Sequence, residues 1–163
     1  MIIYLPLLCA LIGFVSQTDC AEIANMTKDL KVLISSNDFP EPAAKILQEH
    51  FTVIVSRYNH FGEEGATTNK EELLRLAPGI SALVWVSHHP ITKELLDAAG
   101  PSLKVVATAS AGYNHCNVDE LKARGIKLSN TPNVLSSAVA EVAIALMLGA
   151  GRRFTENLEQ VHR

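Results

Sequence analysis

ALVWVSHHPITKELLDAAGPSLKVVATAS, residues Ala82–Ser110, alternates two apolar runs with one amphipathic segment. The runs ALVWVS (Ala82–Ser87) and KVVATAS (Lys104–Ser110) are β-branched and nearly continuous in hydrophobicity. Such runs suit strands covered on both faces of a parallel sheet. Between them Thr92 stands where a helix N-cap belongs, and a helical pattern follows as far as Gly100. Strand, helix and strand joined by short connections make a βαβ unit.

The same rhythm extends in both directions. KVLIS (Lys31–Ser35) and TVIVS (Thr52–Ser56) are strand candidates upstream, and IKLSN (Ile126–Asn130) is a weaker fifth downstream. EPAAKILQEH puts Ala43, Ile46 and Leu47 on one helix face, with its prolines confined to the start. NKEELLRLAPG opens on Asn69, has Glu72 at capping-box spacing and stops at Pro78. NVDELKARG runs from an Asn117 cap to Gly125, with Asp119 and Glu120 in its first turn. The expected class is therefore α/β, an open parallel sheet whose binding sites lie beyond the carboxyl ends of the strands. VSHHP (Val86–Pro90) and ASAGYNH (Ala109–His115) both occupy such ends, so their chemistry can converge.

The final segment, SSAVAEVAIALMLGAGRRFTENLEQVHR, reads as one long helix, apolar on nearly all sides from Ala138 to Leu148. A helix of that kind needs other protein against it, and its one carboxylate, Glu141, needs a partner or a polar pocket. GAGRRF (Gly149–Phe154) imitates the start of a dinucleotide turn, but that turn must follow a strand and carry a third glycine where Phe154 stands. These glycines are expected to pack or end a helix.

The chain has 163 residues, of which 48% are hydrophobic, enough for one ordinary core. Its formal net charge is −3 and its Lys and Arg are not clustered, so neither nucleic acid nor an acidic membrane is an expected partner. Cys9, Cys20 and Cys116 form an odd set without CxxC spacing, which argues against a disulfide framework and a structural zinc site. Ile2–Val15 is apolar, short for a bilayer span and suited in length to a signal-peptide core, with Thr18-x-Cys20 as a cleavage site. The positive segment that usually precedes such a core is missing, and Met26 stands where a compact domain begins. Residues 1–25 are thus a leader or an extension. The expected location is cytoplasmic, or secreted if Met1–Cys20 is cleaved.

The loop ASAGYNH admits two readings. Gly112 permits positive φ and close ligand approach, so backbone N–H groups around it can converge on an anion, aided by the helix that starts near Asn117. Alternatively, Gly112 only makes a turn and Ser110 only ends a strand. His88 and His89 lack a third ligand at helical spacing, so they do not make a metal site. His115 has no adjacent carboxylate to orient it as a base. Cys116 suits packing better than nucleophilic attack. Trp85 and Tyr113 are expected as core or pocket-wall aromatics.

With these pieces placed, the chain from Lys31 to Arg163 resembles the D-isomer-specific 2-hydroxyacid dehydrogenases, and within them the glyoxylate/hydroxypyruvate reductases, most strongly over Ile91–Arg153. The resemblance rests jointly on Ser-x-Gly (Ser110–Gly112), the Asn114-His115 pair, RGI (Arg124–Ile126), NTPNVL (Asn130–Leu135) and VAEVAIALML (Val139–Leu148). It implies a flavodoxin-like substrate domain over 26–131 and, from 132 to 163, a helix that begins a Rossmann-type nucleotide domain and forms part of a dimer interface. It implies that the backbone at Ala111 and Gly112 binds the carboxylate of a small 2-oxoacid, glyoxylate or hydroxypyruvate, and that Val139 contacts the nicotinamide of NADPH or NADH. The family more often has Asp at position 114 and an aliphatic residue at 116.

The family's phosphate-binding turn and its catalytic Arg, Glu and His would fall beyond Arg163. The expectation is therefore a partial reductase that is inactive as this chain, with no catalytic residue of its own. The alternative is a non-catalytic binding or assembly module built on the same fold, as in relatives that serve as corepressors.

Overall fold

The structure, a computed structural model, describes residues 27–57, 70–87 and 89–161. The expected leader, the Met26 start, the Asn69 cap and His88 lie outside the described residues. The chain divides into two compact units, one ending at Thr131 and the other comprising Pro132–Arg163.

In the first unit all five apolar runs form strands: β1 (Lys31–Ile34), β2 (Thr52–Val55), β3 (Ala82–Trp85), β4 (Val105–Thr108) and β5 (Lys127–Ser129). Every pairing is parallel and the order is β2-β1-β3-β4-β5, the flavodoxin-like order. Helices α1 (Glu41–His50), α2 (Lys70–Leu76), α3 (Lys93–Ala99) and α4 (Val118–Ala123) connect them. Thr92 Oγ1 accepts the Leu95 N–H at 3.3 Å and Asn117 Oδ1 accepts that of Glu120 at 3.1 Å, so both caps form as the spacing requires.

Alternation along the strands sorts the core onto two faces. Leu33, Leu83, Trp85 and Val106 cluster with Leu73 of α2, Leu95 and Leu96 of α3 and Leu121 of α4. Val32, Ile34, Ala82, Val84, Val105 and Ala107 form the second cluster, with Leu47 of α1 and Phe51 behind it. The buried face of α1 differs from the expected one. Ile46 is 39% exposed, and Leu47 and Phe51, four residues apart, point inward, with Ala44 packed against the same cluster.

The second unit contains α5 (Ser136–Gly151) and α6 (Phe154–Val161). The expected single helix is broken. Arg153 takes a left-handed φ of 53°, with its N–H on the Ala150 carbonyl, and the N–H of Arg152 closes onto Leu148. Gly149 and Gly151 sit in the last turn of α5, in keeping with a helix-end role. No residue of α5 is buried; Val139, Val142, Ile144, Leu146, Met147 and Leu148 are all more than half exposed, and Glu141 is exposed too. Among the described residues no helix is long and apolar enough to cross a membrane.

Candidate functional site

Buried hydroxyls crowd the carboxyl ends of the strands: Ser35 and Ser36 after β1, Ser56 after β2, Ser87 after β3 and Thr108 at the end of β4. Of these, Ser35 replaces a ladder partner across two strands, and the others bond to side chains or to their own loops. Ser35 Oγ accepts the N–H of Val86 at 2.8 Å, which joins the ends of β1 and β3 at the point where the strand order reverses. Ser56 Oγ donates to Glu72 of α2 at 3.1 Å, and Ser87 Oγ accepts the N–H of His89 at 3.1 Å.

After β4 the chain makes the loop Ala109–Cys116. Three successive carbonyls in it are engaged. That of Ser110 accepts the Thr131 N–H at 3.0 Å, that of Ala111 accepts Asn130 Nδ2 at 2.7 Å, and that of Gly112 accepts Ser110 Oγ at 2.6 Å. In a trans peptide the C=O of one residue and the N–H of the next point in opposite directions. The N–H groups of Ala111, Gly112 and Tyr113 are therefore turned away from the atoms that hold the loop. Neither the Ala111 nor the Gly112 N–H donates to any group among the described residues, and both residues are exposed.

Gly112 does not use the positive φ that its identity allows. What it provides is room, because a Cβ there would stand 3.3 Å from Oδ1 of Asn114. Nor does the neighbouring helix supply a charge end of consequence. With only six residues, α4 spends the Asn117 side chain on its own Glu120 N–H.

Ile91, one residue past VSHHP, donates its N–H to the His115 carbonyl at 3.0 Å, which ties the start of the α3 segment to the loop. His115 Nε2 lies 2.9 Å from Thr108 Oγ1, which lies 2.6 Å from Ser110 Oγ. Cys116 is buried, with its N–H on the Tyr113 carbonyl; burial pushes its thiol pKa up, away from nucleophilic character. Tyr113 is half exposed and belongs to no core, unlike Trp85, which is buried with its indole N–H on the His89 carbonyl at 3.0 Å. Trp85 and His89, with Lys70, Leu73, Leu74, Pro90, Thr92 and Leu95, line a cavity of about 320 Å³ between α2 and α3. Among the described residues no group of three His, Cys, Asp or Glu could hold a metal ion.

Asn130 and Thr131 anchor the loop with no motif of their own in the sequence beyond their place directly after β5. Val139 lies on α5, in the other unit, and is exposed. A dinucleotide needs a glycine turn between strand and helix, and Gly149 and Gly151, inside α5, do not make one.

The sequence profile of the D-isomer specific 2-hydroxyacid dehydrogenase catalytic domain matches residues 32–161. The human glyoxylate reductase/hydroxypyruvate reductase is 42% identical over 91 residues, which are 56% of this chain and 28% of that protein. The glyoxylate reductase of Thermococcus onnurineus is 37% identical over 126 residues, 77% of this chain and 35% of that protein. Among solved structures, the NADPH-dependent glyoxylate/hydroxypyruvate reductase of Sinorhizobium meliloti, in complex with NADP and malonate, superposes with a TM-score of 0.53 at 27% identity. That match covers 74% of this chain and 34% of the other. The chain thus spans about a third of the length of these relatives.

Proposed function

Because the chain belongs to the D-isomer specific 2-hydroxyacid dehydrogenase family, we propose that its first unit is the substrate-binding part of a 2-oxoacid reductase of the glyoxylate/hydroxypyruvate type. The observation that carries this reading is the loop after β4, in which three engaged carbonyls leave the Ala111 and Gly112 N–H groups directed outward. A carboxylate bound there would accept charge-assisted hydrogen bonds from these two amides. Two adjacent amides match the two oxygens of a carboxylate, and a 2-oxoacid held by that end presents its keto carbon to whatever lies above the strand ends.

Reduction of that carbon needs a hydride donor and a group to neutralise the growing charge on its oxygen. The donor in this family is a nicotinamide cofactor, and Val139 on α5 is the residue of this chain offered to it. Gly149 and Gly151, inside α5, do not supply the turn that would seat the pyrophosphate, and no reaction step is assigned to this chain alone. Titrating ¹⁵N-labelled chain with glyoxylate tests the reading. Shifts concentrated on Ala111, Gly112 and Tyr113, together with no consumption of NADPH, are expected. Shifts elsewhere, or none, would refute the carboxylate site.

A second reading concerns α5. Its six large apolar side chains, each more than half exposed, favour an assembly role, with a second copy of the chain or a longer relative packed on the helix. Sedimentation velocity across a concentration series tests this. A monomer at every concentration, alone and with a full-length relative, would count against it.

A further inference from the structure

The hydroxyl chain beside the loop has a direction, and the direction assigns a proton. Ser110 Oγ donates to the Gly112 carbonyl at 2.6 Å, and a serine has one hydroxyl hydrogen to give. Its 2.6 Å contact with Thr108 Oγ1 must then be donated by Thr108, which spends the only hydrogen of that residue. The remaining contact, 2.9 Å between Thr108 Oγ1 and His115 Nε2, must be donated by the imidazole. The order is thus His115 Nε2–H to Thr108, Thr108 to Ser110, and Ser110 to the Gly112 carbonyl. Thr108 is 2% exposed, so water does not readily stand in for either of its partners.

We infer that His115 is a positioning residue, held as the Nε2–H tautomer, whose relay through Thr108 and Ser110 fixes the Gly112–Tyr113 peptide and with it the outward set of amides. This rests on the proposed carboxylate site but makes a claim of its own. The imidazole acts through two hydroxyls on the shape of the loop and touches no substrate. Both ends of the relay are fixed, since the His115 carbonyl holds Ile91 and the Gly112 carbonyl closes the loop.

Two measurements on the ¹⁵N-labelled chain test it. Two-bond ¹H–¹⁵N correlations of the imidazole, recorded without ligand, are expected to show hydrogen on Nε2 of His115. Hydrogen on Nδ1 with Nε2 bare overturns the proposal whatever binds. Glyoxylate titrations then compare His115→Ala and Thr108→Val with His115→Gln, whose amide places a donor near the Nε2 position, and Thr108→Ser, which keeps the hydroxyl. The first two are expected to weaken glyoxylate binding about tenfold, the scale of one lost hydrogen bond with its partner stranded, and the last two to stay near wild type. Wild-type affinity in all four overturns the relay while leaving the carboxylate site standing. Should wild type show no glyoxylate shifts, the carboxylate site fails, and the relay is judged on His115→Ala without ligand. Displaced and faster-exchanging Gly112 and Tyr113 amides support it, and unchanged ones refute it. Native Trp85 emission confirms folding of each variant.

Discussion

Replacing Ser35 by alanine removes one oxygen from the place where β1 and β3 part. Ser35 is fully buried; its N–H continues the ladder to the Val84 carbonyl at 2.9 Å, and its Oγ takes the N–H of Val86 at 2.8 Å. One residue thus bridges two positions of the neighbouring strand. Alanine fits the space but leaves the Val86 N–H without its acceptor. An orphaned backbone donor costs about 1–3 kcal/mol, and partial exposure of Val86 places the loss near 1–2 kcal/mol. With a urea slope of about 1–1.5 kcal/mol/M for a unit of this size, the midpoint should fall by roughly 1 M at unchanged slope. Trp85, the single tryptophan and itself buried, reports the transition by its emission. Ser102→Ala is the control, because its Oγ donates to the Ala99 carbonyl from a half-buried site and its loss should cost no more than about 0.5 kcal/mol. If Ser35→Ala unfolds at the wild-type midpoint, the hydroxyl does not hold the strand ends together and the reasoning fails.

Other perturbations have equally definite outcomes. Leu83→Ala, in the centre of the sheet and fully buried, should cost about 3–4 kcal/mol in the same urea assay. Gly125→Ala should cost about 1–2 kcal/mol, because Gly125 has a φ of +69° and a Cβ there would touch nothing, so the penalty is backbone conformation alone. Gly125→Asn should recover part of it, since asparagine tolerates the left-handed region. Cys116 has its pKa raised in the fold, so the neutral thiol favours the folded state. That contribution is complete at neutral pH and is lost as pH rises above about 9. Alkylation of Cys116 by iodoacetamide at pH 8, followed by mass spectrometry of its peptide apart from those of Cys9 and Cys20, should accordingly be much slower in the folded chain than in urea.

The five strands were readable because burial on both faces writes itself locally, as β-branched runs with no polar alternate. The helices between them carried their own caps in Thr92 and Asn117. The errors arose where tertiary contacts decide. Ile46 satisfies the helical spacing as well as Leu47 does, and only the seating of α1 on β1 and β2 turns one inward and the other out. The break at Arg152–Arg153 falls after two glycines that mark a helix end, yet the amphipathic FTENLEQV that follows continues the pattern closely enough to hide it. At the loop, Gly112 suggested a left-handed turn, whereas the structure sets the amides outward by anchoring carbonyls on Asn130 and Thr131, about twenty residues away. The sequence sets no acid beside His115. Its partner, Thr108, lies seven residues back at the end of a strand, a pairing with no signature until β4 and the loop are folded together.

The strand order also constrains how the chain is made. Because β1 lies between β2 and β3, Val32 pairs on one side with Val53 and on the other with Ala82, roughly fifty residues later in synthesis. A nascent chain that has completed β2 therefore carries a two-strand ribbon whose inner strand is bare along one side, open to association with other chains until Ala82–Trp85 leaves the ribosome. Slow translation between Arg57 and Ser81 should raise aggregation more than a pause placed after Thr108.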